Sequence, residues 1–267
     1  MPMTSTTADV QAAIARLERA SATGRSCEPL TDLIGRTDIA LAYRVQQAVT
    51  ERRLAAGARL IGRKIGLTSE AVQSQVGVDR PDFGVLFADM RYADHEEVPM
   101  ARLLQPQAEA EVAFLLGRDL TAEADLAGLR QAVELAYPAV EIVDSRITDW
   151  KICITDTVAD NASSGVFVMG EQGLPLEAFE PADAVMTMRR DGEVVSSGTG
   201  RACLGDPLNA LRWLAATAID FGTPLRAGDL VLSGALGPMV PVRPGDVFEV
   251  RIEPLGTITA RFSGKGE

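Results

Sequence analysis

Apolar residues recur along this chain with two periods, and the change of period falls near residue 100. Ala8 to Ala22 predicts a helix, and Ser21 to Pro29 a loop. From about Asp38 to Ala56, Leu41, Val45, Ala48 and Val49 recur at i, i+4, i+7 and i+8, one face of a second helix. Arg59 to Leu67 predicts a strand, and Ser69 to Val76 a short helix. From about Leu103 strands dominate. Leu104 to Leu116, Ala139 to Ser145, Gly165 to Met169, Ala184 to Arg189, Glu193 to Ser197, Leu230 to Ser233, Val247 to Ile252 and Gly256 to Phe262 all carry strand patterns. Arg190-Asp191-Gly192 supplies a hairpin turn between two of them. Two helices interrupt this region. One covers Ala122 to Ala136; the other starts at Asp206-Pro207, an N-cap followed by proline at the first helical position, and runs to about Phe221.

Strands adjoining strands with few helices between them predict an α+β fold, not a regular βαβ wind. The expected organisation is an N-terminal helical part over 1–100, packed on a catalytic core over 101–267. A chain of 267 residues, 46% hydrophobic and 24% charged, buries a substantial core and has the balance of a soluble globular protein. The net charge of -11 repels phosphate backbones and argues against nucleic-acid binding. No glycine-rich phosphate loop follows a strand. The polar stretch Met1 to Val10 has no apolar signal core, and the longest uncharged run, Leu230 to Val242, is too short and too broken by glycine and proline to span a membrane as a helix. Cys27, Cys153 and Cys203 form an odd, scattered set that fits a reducing compartment. The expected location is the cytoplasm.

The chemistry concentrates in a few places where charge interrupts an apolar strand. Glu109 and Glu111 are two apart and so share one face, roughly 7 Å apart at Cα, while Ala108, Ala110, Val112 and Phe114 share the other. Two like charges on a strand that becomes apolar repel each other and resist burial, and a divalent cation relieves both problems. Glu141, between Val140 and Ile142, is a third carboxylate in an apolar strand. Oxygen-only ligands favour Mg²⁺ or Mn²⁺ over zinc. The plainer alternatives are an exposed edge strand for the glutamate pair and an ion pair from Glu141 to an arginine such as Arg146. Lys64, flanked by Gly62 and Gly66 in an apolar strand, either works beside a bound anion or snorkels to the surface. Asp82 lies in Pro81-Asp82-Phe83-Gly84, which reads as a turn that an aspartate would cap. Asp160 to Gly165 is a polar run before a strand, a helix end or a pocket-lining loop. The sole histidine, His95, sits in an acidic stretch that reads as a solvated loop.

Gly62-Arg63-Lys64-Ile65-Gly66-Leu67-Thr68, Pro81-Asp82-Phe83-Gly84-Val85-Leu86, Glu109-x-Glu111, Glu141-Ile142-Val143-Asp144-Ser145-Arg146, Asp156-Thr157-Val158-Ala159-Asp160-Asn161-Ala162-Ser163 and Cys203-Leu204-Gly205-Asp206-Pro207-Leu208-Asn209-Ala210 follow one another in order. This ordered set resembles the hydratase/decarboxylase branch of the fumarylacetoacetate hydrolase superfamily, from about Leu41 to Ser263. The resemblance implies a mixed β-roll core with an N-terminal helical part. It implies Mg²⁺ or Mn²⁺ held by Glu109, Glu111 and Glu141, a homo-oligomer, and raises association with a downstream aldolase. It places Lys64, Asp82 and one of Ser163 and Ser164 near the substrate, without choosing between the serines. Arg63 and Gln107 depart from it, where relatives often carry tyrosine and a basic residue. The activity implied is hydration of 2-hydroxypenta-2,4-dienoate to 4-hydroxy-2-oxopentanoate, late in meta-cleavage degradation of aromatic compounds. Lys64 would transfer protons or hold charge, and Asp82 would orient or activate water. The rivals are decarboxylation of 2-oxo-3-hexenedioate and a non-catalytic partner subunit of a hydratase-decarboxylase complex. Acylpyruvate hydrolysis is disfavoured, because His95 is the only histidine.

Overall fold

The structure is a computed structural model and describes residues 6–69, 73, 78, 80–120 and 124–264. The first helix, α1 (Thr7–Thr23), begins at a capping box in which Thr6 and Asp9 exchange hydrogen bonds, and it ends at Gly24. A short α2 (Thr31–Ile34) follows, then α3 (Ile39–Ala55), whose first turn is capped by the Asp38 carboxylate accepting from the Leu41 amide. Both long helices lie within one or two residues of their expected ends. The expected helix over 69–76 falls largely outside the described residues.

Strands β1 (Leu60–Gly66), β2 (Asp82–Phe87) and β3 (Arg91–Ala93) belong to a large mixed sheet with β5 (Gln107–Leu116), β6 (Val133–Val143), β7 (Ser164–Met169) and β10 (Leu230–Ala235). Its order is β2-β1-β10-β5-β6-β7-β3, with β11 (Val240–Pro241) on β5 beyond the end of β10. A second sheet runs β4 (Glu97–Val98), β13 (Gly256–Phe262), β12 (Val247–Glu253), β8 (Val185–Arg190), β9 (Glu193–Thr199). The helices α4 (Leu126–Ala132), α5 (Ile154–Ala159) and α6 (Pro207–Asp220) complete the fold, which is the α+β mixed roll that was expected. The expected boundary at residue 100 follows no break in either sheet. β1, β2 and β3 hydrogen-bond into the large sheet and β4 pairs with β13, so only α1 to α3 form a separate N-terminal layer.

Two expectations fail for physical reasons. The helix expected over 122–136 is only α4; from Val133 the chain is strand, paired residue by residue with β5 from Leu116↔Val133 to Gln107↔Val143. Pro138 disfavours helix in the residue before it, and the pairing with β5 holds Val133 to Tyr137 extended. The turn expected at Pro81 to Gly84 is instead the first half of β2, all six of whose residues are buried. Such a strand loses the alternation that reveals half-buried strands. The short helix α5 was not anticipated.

The sheet curls so that one face becomes an interior. Side chains two apart on each strand line it. Leu86, Ala113, Ala139, Phe167 and Leu232 fill one end as an apolar floor. The opposite face of β5, with Ala108, Ala110, Val112, Phe114 and Leu116, joins the main core. Glu111 and Glu109 continue the inward row from Ala113, and Glu141 continues it from Ala139. The charged site therefore stands directly on the apolar floor.

Candidate active site

The β5–β6 register sets Glu109 opposite Glu141 and Glu111 opposite Ala139. β5 lies between β10 and β6, so the exposed-edge alternative for the glutamate pair does not hold. One carboxylate oxygen from each of Glu109, Glu111 and Glu141 lies within 4.8 Å of the others. Glu111 and Glu141 are fully buried and Glu109 partly so. Burial, reinforced by Glu141, pushes the Glu109 carboxyl up to about 7. Burial, then Glu141 and Glu109, carries Glu111 well above the usual carboxylate range. Burial raises Glu141 as well, against the pull of Lys64.

Three clustered carboxylates this far from water need a counter-charge. Glu111 Oε2 accepts the Gly234 amide at 2.8 Å, but Glu111 Oε1 and Glu141 Oε2 have no hydrogen-bond partner among the described residues. Buried oxygens left without partners are costly unless something else satisfies them. An all-oxygen cradle of this charge fits a hard divalent cation such as Mg²⁺ or Mn²⁺.

Lys64 closes one side of the cradle. Only 2% exposed, it is no snorkelling surface residue. Its Nζ lies 3.1 Å from Glu141 Oε1 and donates to the Ala162 carbonyl at 3.0 Å. Burial disfavours its charge, but Glu141, with Asp82, Glu111 and Glu109 behind it, more than compensates and lifts its pKa above the ordinary lysine value. The suggested partner Arg146 binds elsewhere: its guanidinium meets the Asp160 carboxylate and donates to the carbonyls of Asp160 and Ser164.

Asp82 reaches the same place from β2. It is buried, and a Cβ on Gly66 would meet both Asp82 Oδ1, at 2.3 Å, and Lys64 Nζ, at 3.3 Å. Thr157 Oγ1 donates to Asp82 Oδ2 at 3.1 Å and lies 3.3 Å from Ser163 Oγ. Burial raises the Asp82 carboxyl, with Lys64 opposing. The capping role expected for Asp82 is thus replaced by a place in a buried polar cluster.

The two serines separate here. Ser163 joins the Lys64–Asp82–Thr157 cluster. Ser164 faces a different cavity of about 780 Å³ between α1, α3 and the outer side of β2 and β7, which none of Lys64, Asp82 and the three glutamates lines. His95 is exposed in a loop, apart from the site. Sequence reasoning missed Thr157 and the Gly234 amide. Thr157 looks like any residue of a short helix, and a backbone donor carries no side-chain signal.

A cage of three carboxylates beside a buried lysine and aspartate, set on the inner face of a curled mixed sheet, has the donor set of a divalent-cation site. Residues 58–263 match the model of the fumarylacetoacetate (FAA) hydrolase C-terminal family, and the chain belongs to that family. It is 55% identical to the TodF product hydratase of Pseudomonas putida over 261 residues, 97% of each chain. It is also 55% identical to 2-keto-4-pentenoate hydratase 1 of Dechloromonas aromatica over 254 residues, 95% of this chain and 97% of that one. Among solved structures it resembles the 4-oxalocrotonate decarboxylase of Pseudomonas putida G7 complexed with magnesium and adipate, with a TM-score of 0.93, 33% identity, and coverage of 97% of this chain and 99% of that one.

Proposed function

We propose that this chain is a hydro-lyase that converts 2-hydroxypenta-2,4-dienoate to 4-hydroxy-2-oxopentanoate in the cytoplasmic breakdown of aromatic compounds, working as a homo-oligomer with Mg²⁺ or Mn²⁺. Its close relatives are named as hydratases, and the solved decarboxylase it resembles holds magnesium. Among the described residues no helix is long and apolar enough to cross a membrane. Val194, 51% exposed on the edge strand β9, is the kind of surface that a second subunit covers.

The observation that carries the reading is the buried Lys64–Asp82–Thr157–Ser163 cluster facing the three glutamates. Glu109, Glu111 and Glu141 would hold a divalent cation, which would supply Lewis-acid stabilisation of negative charge developing on the substrate. Lys64, kept charged by its carboxylate neighbours, donates a proton to C5 and recovers one from the 2-hydroxyl, which gives 2-oxo-3-pentenoate. Asp82, oriented by Thr157, accepts a proton from the water that adds at C4 and returns it to C3, which completes the addition. Ser163 holds that water or the 4-hydroxyl through its Oγ. The apolar floor of Leu86, Ala113 and Phe167 limits bulk water beneath the dienol.

Decarboxylation is the second reading, favoured by the overall likeness to the solved decarboxylase. Loss of CO₂ requires no base for water, so Asp82 distinguishes the two. Asp82→Asn slows water addition more than ketonisation, and in D₂O NMR shows C5-deuterated 2-oxo-3-pentenoate accumulating without a C4 hydroxyl. Release of CO₂ from 2-oxo-3-hexenedioate by the wild type, with pentadienoate untouched, would replace hydration by decarboxylation.

A further inference from the structure

Asn161, Ala162 and Ser163 have φ of 57°, 51° and 50°, three consecutive non-glycine residues in the left-handed region. Asparagine tolerates this conformation; alanine and serine do so poorly, so such a run persists only where its surroundings hold it. Two anchors hold this one. On the flanks, Arg146 ties the ends together by donating to the carbonyls of Asp160 and Ser164 while pairing with the Asp160 carboxylate. At the start of the turn, Asn161 Oδ1 accepts the Val85 amide at 2.8 Å and Asn161 Nδ2 donates to the Val85 carbonyl at 3.0 Å.

Val85 lies on β2, the end strand of the sheet, where its outward peptide groups have no neighbouring strand. The Asn161 carboxamide takes the place of that strand, one acceptor and one donor in register with a peptide edge. The approach is close: a Cβ on Gly84 would fall 2.3 Å from the Asn161 carbonyl oxygen. The turn so fixed presents the Ala162 carbonyl to Lys64 Nζ at 3.0 Å and Ser163 Oγ to Thr157 Oγ1 at 3.3 Å.

We propose that Asn161 is a positioning residue: its two-point clamp on Val85 holds the left-handed turn that aims the Lys64 ammonium at the carboxylate cluster. The proposal rests on the reading of Lys64 as the proton donor in hydration. Without the clamp, Lys64 keeps its charge partners but loses the fixed acceptor that sets its direction, and a misplacement of about 1 Å costs on the order of 10²-fold in rate.

The test is a double-mutant cycle with a spectroscopic companion. Asn161→Ala is expected to lower kcat for 2-hydroxypenta-2,4-dienoate by about 10²-fold, leaving KM and Mn²⁺ affinity unchanged. In a Lys64→Ala background the same substitution is expected to cost no more than about 10-fold, the share that passes through Ser163, because the coupled lysine is already gone. Asn161→Gly accepts the left-handed backbone yet lacks the carboxamide; it is expected to behave like Asn161→Ala, and it serves if the alanine variant does not fold. In the metal-free protein, the Lys64 Nζ ammonium resonance is expected to be protected from exchange in the wild type and to broaden in either variant. Full kcat in Asn161→Gly, or an equal loss in the Lys64→Ala background, would overturn the clamp. If the wild type does not hydrate the dienoate at all, the functional reading falls, while the Lys64 resonance still decides whether Asn161 orients the ammonium.

Discussion

At the scale of single residues, the division of labour between Ser163 and Ser164 shows what a sequence can and cannot convey. The adjacent serines are equivalent in composition and polarity. What separates them is the backbone: Ser163 ends a left-handed turn at φ 50°, and Ser164 begins the extended strand β7. Ser163 Oγ lies 3.3 Å from Thr157 Oγ1, and Ser164 Oγ, buried with no hydrogen-bond partner among the described residues, is turned to the other cavity. Ser163→Ala is therefore expected to lower kcat on the dienoate by roughly 10-fold or more, as loss of one polar group at the reacting centre does. Ser164→Ala is expected to leave kcat within about twofold and stability unchanged or slightly improved, since it removes an unsatisfied hydroxyl. Steady-state kinetics and a thermal melt on both variants check this; equal kinetic losses would contradict the assignment. Glu109, Glu111 and Glu141 were legible because charge broke a period-two apolar pattern. Asp82 was legible as a candidate, but its surroundings were not, since a strand buried on both faces has no pattern to read.

Among the elements, β10 carries the feature that sequence reasoning passed over. Its pairing with β5 shifts between Leu232 and Ala235, and in that irregularity Gly234 adopts φ of 107° and donates its amide to Glu111 Oε2. A Cβ there would fall 2.3 Å from Thr68 Oγ1. Gly234→Ala is expected to destabilise the protein by about 1–3 kcal/mol from the forced conformation and to weaken metal binding by displacing the amide that orients Glu111. A melt and an Mn²⁺ titration measure the two effects; unchanged metal affinity would show that the amide does not position Glu111. The same strand explains a limit of pattern reading. Leu230 to Ser233 was visible as a short apolar run, whereas the register shift at Gly234 lies against Thr68, a segment far away in the sequence. β6 failed in the opposite direction: its first residues suit a helix locally, and ten paired residues of β5 override that preference.

For the whole molecule, the curled sheet concentrates negative charge where water is scarce, and this couples stability to pH and to metal. Burial holds Glu109 at about 7, and Glu111, Glu141 and Asp82 are also raised. Carboxyls whose folded pKa exceeds the unfolded value bind protons in the folded state that the unfolded chain releases. Their stabilisation is complete below the unfolded value, about 4.3 for glutamate, and is lost as pH rises through the folded value. The melting temperature of metal-free protein is thus expected to fall between about pH 4.5 and 7, and saturating Mg²⁺ or Mn²⁺ to abolish or reverse that fall, because the cation replaces the protons. A metal-free protein that grows more stable across this window would contradict it. The α+β class and most of the core strands were legible in the chain, but the curl that brings Lys64, Asp82 and three glutamates together depends on pairings between distant segments, β10 with β1 and with β5.

If three carboxylates hold the divalent cation used to hydrate a dienoic acid, turnover depends on bound metal and on each carboxylate. The most direct measurement is turnover of 2-hydroxypenta-2,4-dienoate by protein stripped with a chelator and then titrated with Mg²⁺ or Mn²⁺, product being followed by NMR, for the wild type and for Glu141→Gln. No turnover is expected without metal, 4-hydroxy-2-oxopentanoate formation is expected to recover near one equivalent of bound cation, and a folded Glu141→Gln protein is expected to need far more metal to respond. Full formation of 4-hydroxy-2-oxopentanoate by exhaustively metal-free protein, or a Glu141→Gln titration identical to the wild type, would contradict it.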